Sequence, residues 1–270
     1  MRGFSALPPY KINHIQKLIE AWHSGLVCRI RNQSPSKNEL ITFSQVFGLP
    51  ERALNQEKKL TSSTEHPEVM IVSNIKNNGQ AIGHLGAKEA YWHTDMCYTD
   101  TPPIASILYA IEVPDRGGNT EFMNMYSVYD AIPMDLRKII STLSIKHDRS
   151  YTAVGELRYG FDNVTDVTTC PGSIHPIVQQ HPVTRKNFLH LGRRLNAYIV
   201  GYSVPESEAL LNKLWKYTQG PGLTWTQHWA VGDILIWDNR CTMHRRDSFD
   251  ENTRRVMWRT QVQYNSECPR

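Results

Sequence analysis

The feature that most restricts the fold of this chain is a series of short apolar runs separated by turns that contain glycine or proline. Strands of globular domains are commonly about five or six residues long and are bounded by such turns. The strand candidates are residues 26–30, 70–74, 104–113, 177–180, 188–191, 234–237 and 256–264. Runs of this kind predict a mainly β fold, a β-sandwich or a jelly roll, that carries helices on its outside.

Four segments show helix signals instead. The apolar side chains of residues 12–22 recur at the spacing of one helix face. Ser36 and Glu39 match a capping box, which predicts that a second helix begins at Ser36. Apolar positions also predict helices over residues 126–143 and 205–217. The predicted fold class is therefore mainly β with flanking helices, an α+β arrangement.

The length and charge of the chain limit its organisation and its partners. Its 270 residues can bury a large core and predict one domain over residues 1–270. Residues 149–173 lack periodicity and are rich in Gly, Asp and Thr, which predicts a lid-like insertion over a site. The chain has 30 Lys+Arg and 26 Asp+Glu, a net charge of +4 that is too small and too scattered to indicate a nucleic-acid partner.

The cysteines and the hydropathy of the chain indicate its compartment. The five cysteines are odd in number and form no Cys-x-x-Cys pair, which is typical of a reducing compartment. No continuous apolar run is long enough to span a membrane. We therefore expect a soluble, cytoplasmic protein with no membrane partner; the oligomeric state stays open, and a homo-oligomer is compatible with the sequence.

Residues 91–95, Tyr-Trp-His-Thr-Asp, place His93 and Asp95 two positions apart beside an apolar run. Alternate side chains of a strand lie on one face, so we expect the imidazole and the carboxylate to point the same way. Two histidines and one carboxylate form the facial triad of non-haem iron(II) oxygenases, which leaves coordination positions open. His66-Pro67-Glu68 has the same spacing, but its proline argues against a central strand. The sequence therefore predicts a metal site at His93 and Asp95 that needs a second histidine from another segment.

A tight turn is predicted next to this site. Gly117-Gly118 follows the strand candidate 104–113 and precedes Thr120-Glu121-Phe122. A Gly-Gly pair commonly joins two antiparallel strands. We therefore expect these two strands to pair with each other and to lie beside the metal-binding strand.

Several separated motifs give the chain a likeness to a known family. They are Trp92-His93-Thr94-Asp95, Gly117-Gly118-Asn119-Thr120, His175-Pro176, His181-Pro182-Val183-Thr184, residues 206–211 and Trp237-Asp238-Asn239-Arg240, followed by His244 and by Arg254-Arg255. With these motifs in order, the chain closely resembles the taurine and 2,4-dichlorophenoxyacetate dioxygenase (TauD/TfdA) family over about residues 12–264. The resemblance implies the fold of that family, a double-stranded β-helix, which is a cupin-like jelly roll.

The resemblance also implies the cofactor and cosubstrates of the family, which are Fe(II), 2-oxoglutarate and O2. His93, Asp95 and His244 would hold the iron. Arg255 would pair with the far carboxylate of 2-oxoglutarate, and Thr120 would hydrogen-bond the same carboxylate. Arginine suits this task because its guanidinium meets a carboxylate with two parallel bonds and stays charged when buried.

The implied reaction is the oxidation, most simply the hydroxylation, of an unactivated C–H bond in a small, anionic organic molecule, with release of succinate and CO2. Desaturation and oxidative cleavage by the same iron chemistry are alternatives. A zinc-dependent hydrolase with the same triad would leave Arg255 and Thr120 unexplained. A jelly roll that binds ligands without catalysis is disfavoured because all three metal ligands are present.

The pattern of the last strand conflicts with this resemblance. Val256, Trp258, Thr260, Val262 and Tyr264 alternate and would face the core. The pattern alone predicts that Arg255 and Arg259 face solvent, whereas the resemblance implies that both lie inside the jelly roll. Solvated surface is likewise the default for the dibasic pairs Arg193-Arg194, Arg245-Arg246 and Arg254-Arg255, which could otherwise form a patch for an anion.

Substrate contacts are predicted around the same region. Arg259 matches the residue that grips the anionic group of the substrate in family members that act on acids. Glu89, four residues before His93, stands in a segment that differs from that of taurine-specific members and argues against taurine. The further histidines His147, His175, His181 and His190 are expected to be structural or exposed. The candidate substrate contacts are Asn74, Tyr98, Arg149, Tyr151 and Arg259.

Overall fold

The computed structural model of the chain describes residues 5–53 and 65–264. Its helices are α1 (Ile12–Gly25), α2 (Lys37–Ser44), α3 (Met125–Ala131), α4 (Met134–Ile140) and α5 (Val204–Lys216), which a 3-10 turn follows at Tyr217–Gln219. Its strands are β1 (Val27–Ile30), β2 (Leu49–Pro50), β3 (Met70–Ser73), β4 (Lys76–Asn77), β5 (Gln80–Ala81), β6 (His84–Leu85), β7 (Ala90–His93), β8 (Ala105–Glu112), β9 (Thr120–Asn124), β10 (Ser144–Lys146), β11 (Ile174–Pro176), β12 (Val178–Gln180), β13 (Asn187–Leu189), β14 (Tyr198–Ile199), β15 (Thr224–Gln227), β16 (Ile234–Asp238), β17 (Thr242–Arg246) and β18 (Val256–Gln263).

Two sheets form the centre of the fold. The larger has the order β1-β16-β8-β18-β3-β6, with β2 paired to β18, and the smaller has the order β15-β9-β17-β7. Their inner faces meet in a buried cluster in which Phe122 of the smaller sheet joins Leu108, Trp237 and Met257 of the larger. Sheets that pack face to face in this way with mostly antiparallel strands form a jelly roll. The predicted jelly roll with flanking helices is confirmed.

The expected pairing of the strands on either side of Gly117-Gly118 is wrong. β8 pairs with β16 and β18 in the larger sheet, whereas β9 pairs with β15 and β17 in the smaller one. Both glycines have a positive φ, +74° and +64°, which glycine adopts without strain. The segment therefore carries the chain from one sheet to the other, and it brings Thr120 to the start of a strand of the smaller sheet.

The helix predictions are confirmed with one correction. The Ser36 side chain accepts the Glu39 N–H at 3.3 Å, and the Glu39 carboxylate accepts the Ser36 N–H at 2.8 Å, so the capping box is present. The helix expected over residues 126–143 is two helices, α3 and α4, because Pro133 lies between them. A proline ring excludes the residue before it from helical geometry, and this effect outweighs the apolar spacing.

The helices cover the outer faces of the two sheets. Leu18 of α1 and Phe43 of α2 are fully buried in a cluster with Ile107 and Ile236 of the larger sheet. On the other side, a second cluster joins α3, α4 and α5 to Met123 and Met243 of the smaller sheet. The apolar faces of the helices therefore cover both outer faces, and the space between the sheets holds buried polar side chains, such as His93, Asp95 and Arg255, besides the apolar cluster. None of the helices within residues 5–53 and 65–264 is both long and apolar enough to cross a bilayer.

Candidate active site

His93, Asp95 and His244 meet between the two sheets. His93 ends β7 and lies directly opposite His244 of β17 in the strand register. Asp95 Oδ1 lies 3.7 Å from His93 Nε2 and 3.9 Å from His244 Nε2. All three residues are buried, and their ligand atoms lie within 4.8 Å of one another. The second histidine that the sequence required is therefore His244.

Neighbouring groups orient both histidine rings for metal binding. His93 Nδ1 lies 2.7 Å from the Tyr91 carbonyl oxygen, which accepts a hydrogen bond from it and leaves Nε2 free to bind a metal. The His244 ring packs 4.9 Å from Trp237 and 5.9 Å from Phe122, measured between ring centroids. Burial, followed by the charge of His93, lowers the pKa of His244 to about 3. His244 therefore needs no deprotonation at neutral pH before it binds a metal.

Asp95 is held as a carboxylate with one oxygen turned towards the histidines. Ser106 Oγ donates to Asp95 Oδ2 at 2.8 Å, and Asn239 fixes the Asp95 backbone by accepting its N–H at 2.9 Å and donating to its carbonyl at 3.0 Å. Burial alone would raise the pKa of Asp95, but the charges of Arg259 and His244 hold it well below the usual range. Ser106 was missed by the sequence analysis, although it is the one serine in the apolar run Ala105–Glu112.

These three residues fit a single divalent iron. Two imidazole nitrogens and one carboxylate oxygen are the donor set of non-haem iron(II) oxygenases. Each imidazole is oriented by neighbouring groups, and the Asp95 carboxylate keeps one oxygen, Oδ1, facing both rings. Partners of this kind orient metal ligands and raise metal affinity.

A second group of similar composition, His23, His181 and Asp238, does not fit a metal. His181 Nε2 lies 3.0 Å from Asp238 Oδ2, while His181 Nδ1 accepts two backbone N–H groups at 3.2 and 3.1 Å. Arg240 donates to both Asp238 oxygens, at 2.8 and 2.5 Å. The nitrogens of His181 and the charge of Asp238 are thus already used inside the protein. His181 is therefore structural, as expected.

Arg255 and Thr120 are also buried: Arg255 directly precedes β18, and Thr120 begins β9. Arg255 is 2% exposed, and its backbone N–H donates to Asn74 Oδ1 at 3.0 Å. Burial, followed by the charge of Arg246, lowers the pKa of Arg255 to about 9, so the side chain is still a cation at neutral pH. Thr120 Oγ1 accepts a hydrogen bond from Trp229 Nε1 at 3.0 Å. The pattern-based expectation that Arg255 faces solvent is wrong.

Arg259 is also largely buried, in the middle of β18 and four residues after Arg255. Its Nη1 donates to Asp95 Oδ1 at 3.1 Å, and its side chain is 13% exposed. It lines a cavity of about 280 Å³ whose wall also includes His93, Asp95, Tyr98 and Arg158. This cavity is the space in which a small molecule could lie next to the triad. Arg255 is not part of this lining, so the two arginines do not line the same cavity.

The structure places the candidate substrate contacts in two groups. Tyr98 and Arg259 line the cavity, and Asn74, Arg149 and Tyr151 lie outside its lining. Asn74 Nδ2 donates to backbone carbonyls of the segment before β18, at 2.7 and 3.1 Å. The Tyr151 hydroxyl donates to Asn163 at 2.9 Å, and Arg149 is exposed. Contact with a substrate stays a prediction for all five.

Each dibasic pair has one buried and one surface member. The buried members are Arg193, Arg246 and Arg255, and the surface members Arg194, Arg245 and Arg254 form ion pairs with Glu208, Glu121 and Glu112. The expectation that the arginines of these pairs lie on the solvated surface is therefore wrong for three of the six. Arg193 lines the cavity and donates to the backbone carbonyls of Asp148, Tyr151 and Thr152, at 2.6 to 2.9 Å. It ties the segment after β10 to the metal-ligand strand.

The fold and this site define a metal-dependent oxygenase centre inside a jelly roll, and comparisons with known proteins agree. The family model described as "Taurine catabolism dioxygenase TauD, TfdA family" matches residues 5–261. The chain belongs to this family.

Similar proteins cover most of the chain. Pentalenolactone F synthase of Streptomyces arenae is 28% identical over 264 residues, which are 90% of this chain and 84% of that protein. Alpha-ketoglutarate-dependent 2,4-dichlorophenoxyacetate dioxygenase of Cupriavidus pinatubonensis is 28% identical over 263 residues, 94% of this chain and 89% of that protein. The crystal structure of AAD-2 in complex with Mn(II) and N-oxalylglycine superposes with a TM-score of 0.77 at 27% identity, over 99% of this chain and 93% of that one.

Proposed function

We propose that this protein is an Fe(II)- and 2-oxoglutarate-dependent dioxygenase that hydroxylates a C–H bond of a small organic anion. One observation carries the proposal: two members of the buried His93–Asp95–His244 triad line a cavity, and a buried cation, Arg255, directly precedes the strand whose Arg259 lines the same cavity. The named 2,4-dichlorophenoxyacetate dioxygenase relative is alpha-ketoglutarate-dependent, and AAD-2 was crystallised with a divalent metal and a dicarboxylate.

The balanced reaction is R–H + O2 + 2-oxoglutarate → R–OH + succinate + CO2, in which one oxygen atom enters each organic product. Iron(II), held by His93, Asp95 and His244, supplies the centre at which dioxygen is reduced. Ser106 and Asn239 hold Asp95 in place, and Trp237 and Phe122 hold the His244 ring. Arg255 and Thr120 bind the far carboxylate of 2-oxoglutarate and so fix its orientation.

The charge of the cavity wall supports an anionic substrate. Arg259, Arg158 and Arg193 all line the cavity, and the charges of Arg193 and Arg259 lower the pKa of Arg158 further after the larger effect of burial. Arg158 also stacks on Tyr98, with its guanidinium carbon 4.9 Å from the ring centroid. Three guanidinium groups around one small cavity attract an anion and disfavour a cation.

The first part of residues 149–173 contributes to the wall of this cavity, which supports the proposed role of the segment as a cover. Thr152, Val154 and Arg158 of this segment line the cavity together with His93 and Asp95. A cytoplasmic location is supported by the cysteines, since the four in the described part of the chain are free and buried. The homo-oligomer and the single domain over residues 1–270 stay predictions.

The direct test is succinate formation by the iron-loaded protein with 2-oxoglutarate, O2 and a panel of small carboxylates, sulfonates and sulfate esters. We expect at least one member of the panel to stimulate succinate formation and to gain one oxygen atom from ¹⁸O2. Turnover of a panel member without O2 and without 2-oxoglutarate would instead favour a hydrolase with the same triad.

Arg259→Met is expected to weaken binding of the anionic substrate about 10- to 100-fold, because a charge-assisted hydrogen bond is lost from a partly buried site. The Kd for 2-oxoglutarate should change much less, since Arg255 is intact. Both quantities are measured by calorimetry on the anaerobic Fe(II) protein. A substrate Kd that is the same in wild type and Arg259→Met would rule out Arg259 as the anion contact.

A further inference from the structure

Arg246 and Arg255 form an unusual pair of buried cations. Arg246 is 5% exposed and Arg255 is 2% exposed. Both guanidinium carbons lie near the Phe249 ring, at 5.5 Å and 6.0 Å from its centroid. Within residues 5–53 and 65–264, neither arginine has an acidic side chain within ion-pair distance. Two like charges that are buried side by side without a counter-ion are unfavourable unless an anion binds between them.

The two side chains also have unused hydrogen-bond donors. Nε and Nη1 of Arg246 and Nε of Arg255 are buried and have no partner among the described residues. Buried donors are almost always paired in native proteins, because an unpaired one costs roughly 1–3 kcal/mol. Arg246 Nη2 is different, since it donates to the backbone carbonyls of Leu85, at 3.1 Å, and Lys88. These two bonds hold Arg246 in place while its other donors remain available.

The strand register directs Arg246 to the interior beside Thr120. Arg246 is two residues beyond His244 on β17, so their side chains lie on the same face of the strand. Thr120 of β9 is the direct partner of Arg246 across the sheet. Thr120 Oγ1 already accepts from Trp229, so its own hydroxyl hydrogen is free to be donated. Arg246, Arg255 and Thr120 together offer donors to one anion.

We propose that Arg246 is a second guanidinium for the far carboxylate of 2-oxoglutarate, which it binds together with Arg255. This inference rests on the proposed function. The known site of the family, implied by the resemblance above, uses one arginine and one threonine, here Arg255 and Thr120. In this chain the carboxylate is held between two cations, each of which can donate to a different lone pair.

The test compares two ligands of the anaerobic Fe(II) protein by calorimetry. 2-Oxoglutarate has the far carboxylate, and 2-oxopentanoate has the same chain length without it. Arg246→Met should weaken the binding of 2-oxoglutarate about 10- to 100-fold and change the affinity for 2-oxopentanoate by less than about threefold. Arg246→Lys keeps the charge with a different donor geometry, so a smaller loss, confined to 2-oxoglutarate, is expected.

Arg245→Met is the matched control, because Arg245 is adjacent in sequence but faces outward and pairs with Glu121. It should leave both affinities unchanged. An unchanged affinity of Arg246→Met for 2-oxoglutarate would overturn the inference, and so would an equal loss for both ligands, which indicates a purely structural role. If a thermal unfolding assay shows that Arg246→Met is not folded, the affinities of Arg246→Lys for 2-oxoglutarate and 2-oxopentanoate are compared instead. The same two outcomes would then overturn the inference. A wild-type protein that binds neither ligand would contradict the proposed function itself.

Discussion

His244→Ala is expected to abolish retention of iron and to lower turnover at least about 100-fold. Replacing a residue that only hydrogen-bonds a metal ligand already lowers metal affinity or activity about 10- to 100-fold. The remaining His93 and Asp95 would leave the metal with two protein ligands. The measurements are bound metal per chain after gel filtration, by elemental analysis, and succinate formation in the presence of substrate.

His14→Ala provides the control for this substitution, because His14 is exposed on α1, far from the triad in the sequence. It should retain metal and activity. Thermal unfolding of metal-free His244→Ala shows whether the fold is intact, since His244 packs against Trp237 and Phe122. A folded His244→Ala protein that binds metal as well as wild type would exclude His244 as a ligand.

Arg255→Met is expected to weaken the binding of 2-oxoglutarate roughly 100-fold or more, because a buried, charge-assisted contact with the cosubstrate is lost. The metal-free variant should unfold at the same temperature as wild type or at a higher one. The reason is that burial lowers the pKa of Arg255 to about 9, below its unfolded value, so the cation disfavours folding at neutral pH. This penalty disappears when methionine replaces the cation, and in wild type it begins to shrink as the pH rises through the folded pKa of about 9.

Two measurements distinguish a specific loss of 2-oxoglutarate binding from a general loss of folding. 2-Oxoglutarate should raise the unfolding temperature of wild type and leave that of Arg255→Met nearly unchanged, since a ligand stabilises only the state it binds. Arg254→Met is the matched control, because the neighbouring Arg254 is on the surface in an ion pair with Glu112. A large loss of stability in Arg255→Met would show that Arg255 has a structural counter-ion.

The grouping of His93 with Asp95 and much of the fold were predictable from the sequence, because they depend on the alternation and spacing of neighbouring residues. Strand alternation alone places His93 and Asp95 on one side, and the Ser36–Glu39 capping box marks the start of α2. The choice of His244 as the candidate third ligand needed the family resemblance. Its proximity to His93 depends on the pairing of β7 with β17, which are about 150 residues apart in the chain.

The faces of the last strand could not be predicted from its pattern. Both faces of β18 are buried: Thr260 and Val262 lie on the side covered by α2, and Arg259 lies on the side of the cavity. An apolar alternation identifies the inner face only when the other face meets water. Contacts between distant segments were also invisible, such as those of Asn239 with Asp95 and of Arg246 with the carbonyls of Leu85 and Lys88. No local sequence signal specifies such pairs.

The most direct test is to locate the metal by anomalous diffraction from crystals of the Mn(II)-loaded protein grown without O2. Two groups of two histidines and one aspartate exist among the described residues, so the position of the metal distinguishes between them. One anomalous peak bonded to His93, Asp95 and His244 is the predicted result. A peak at His23, His181 and Asp238, or a triad that leaves Asp95 bonded to Arg259 with no ion present, would contradict the account.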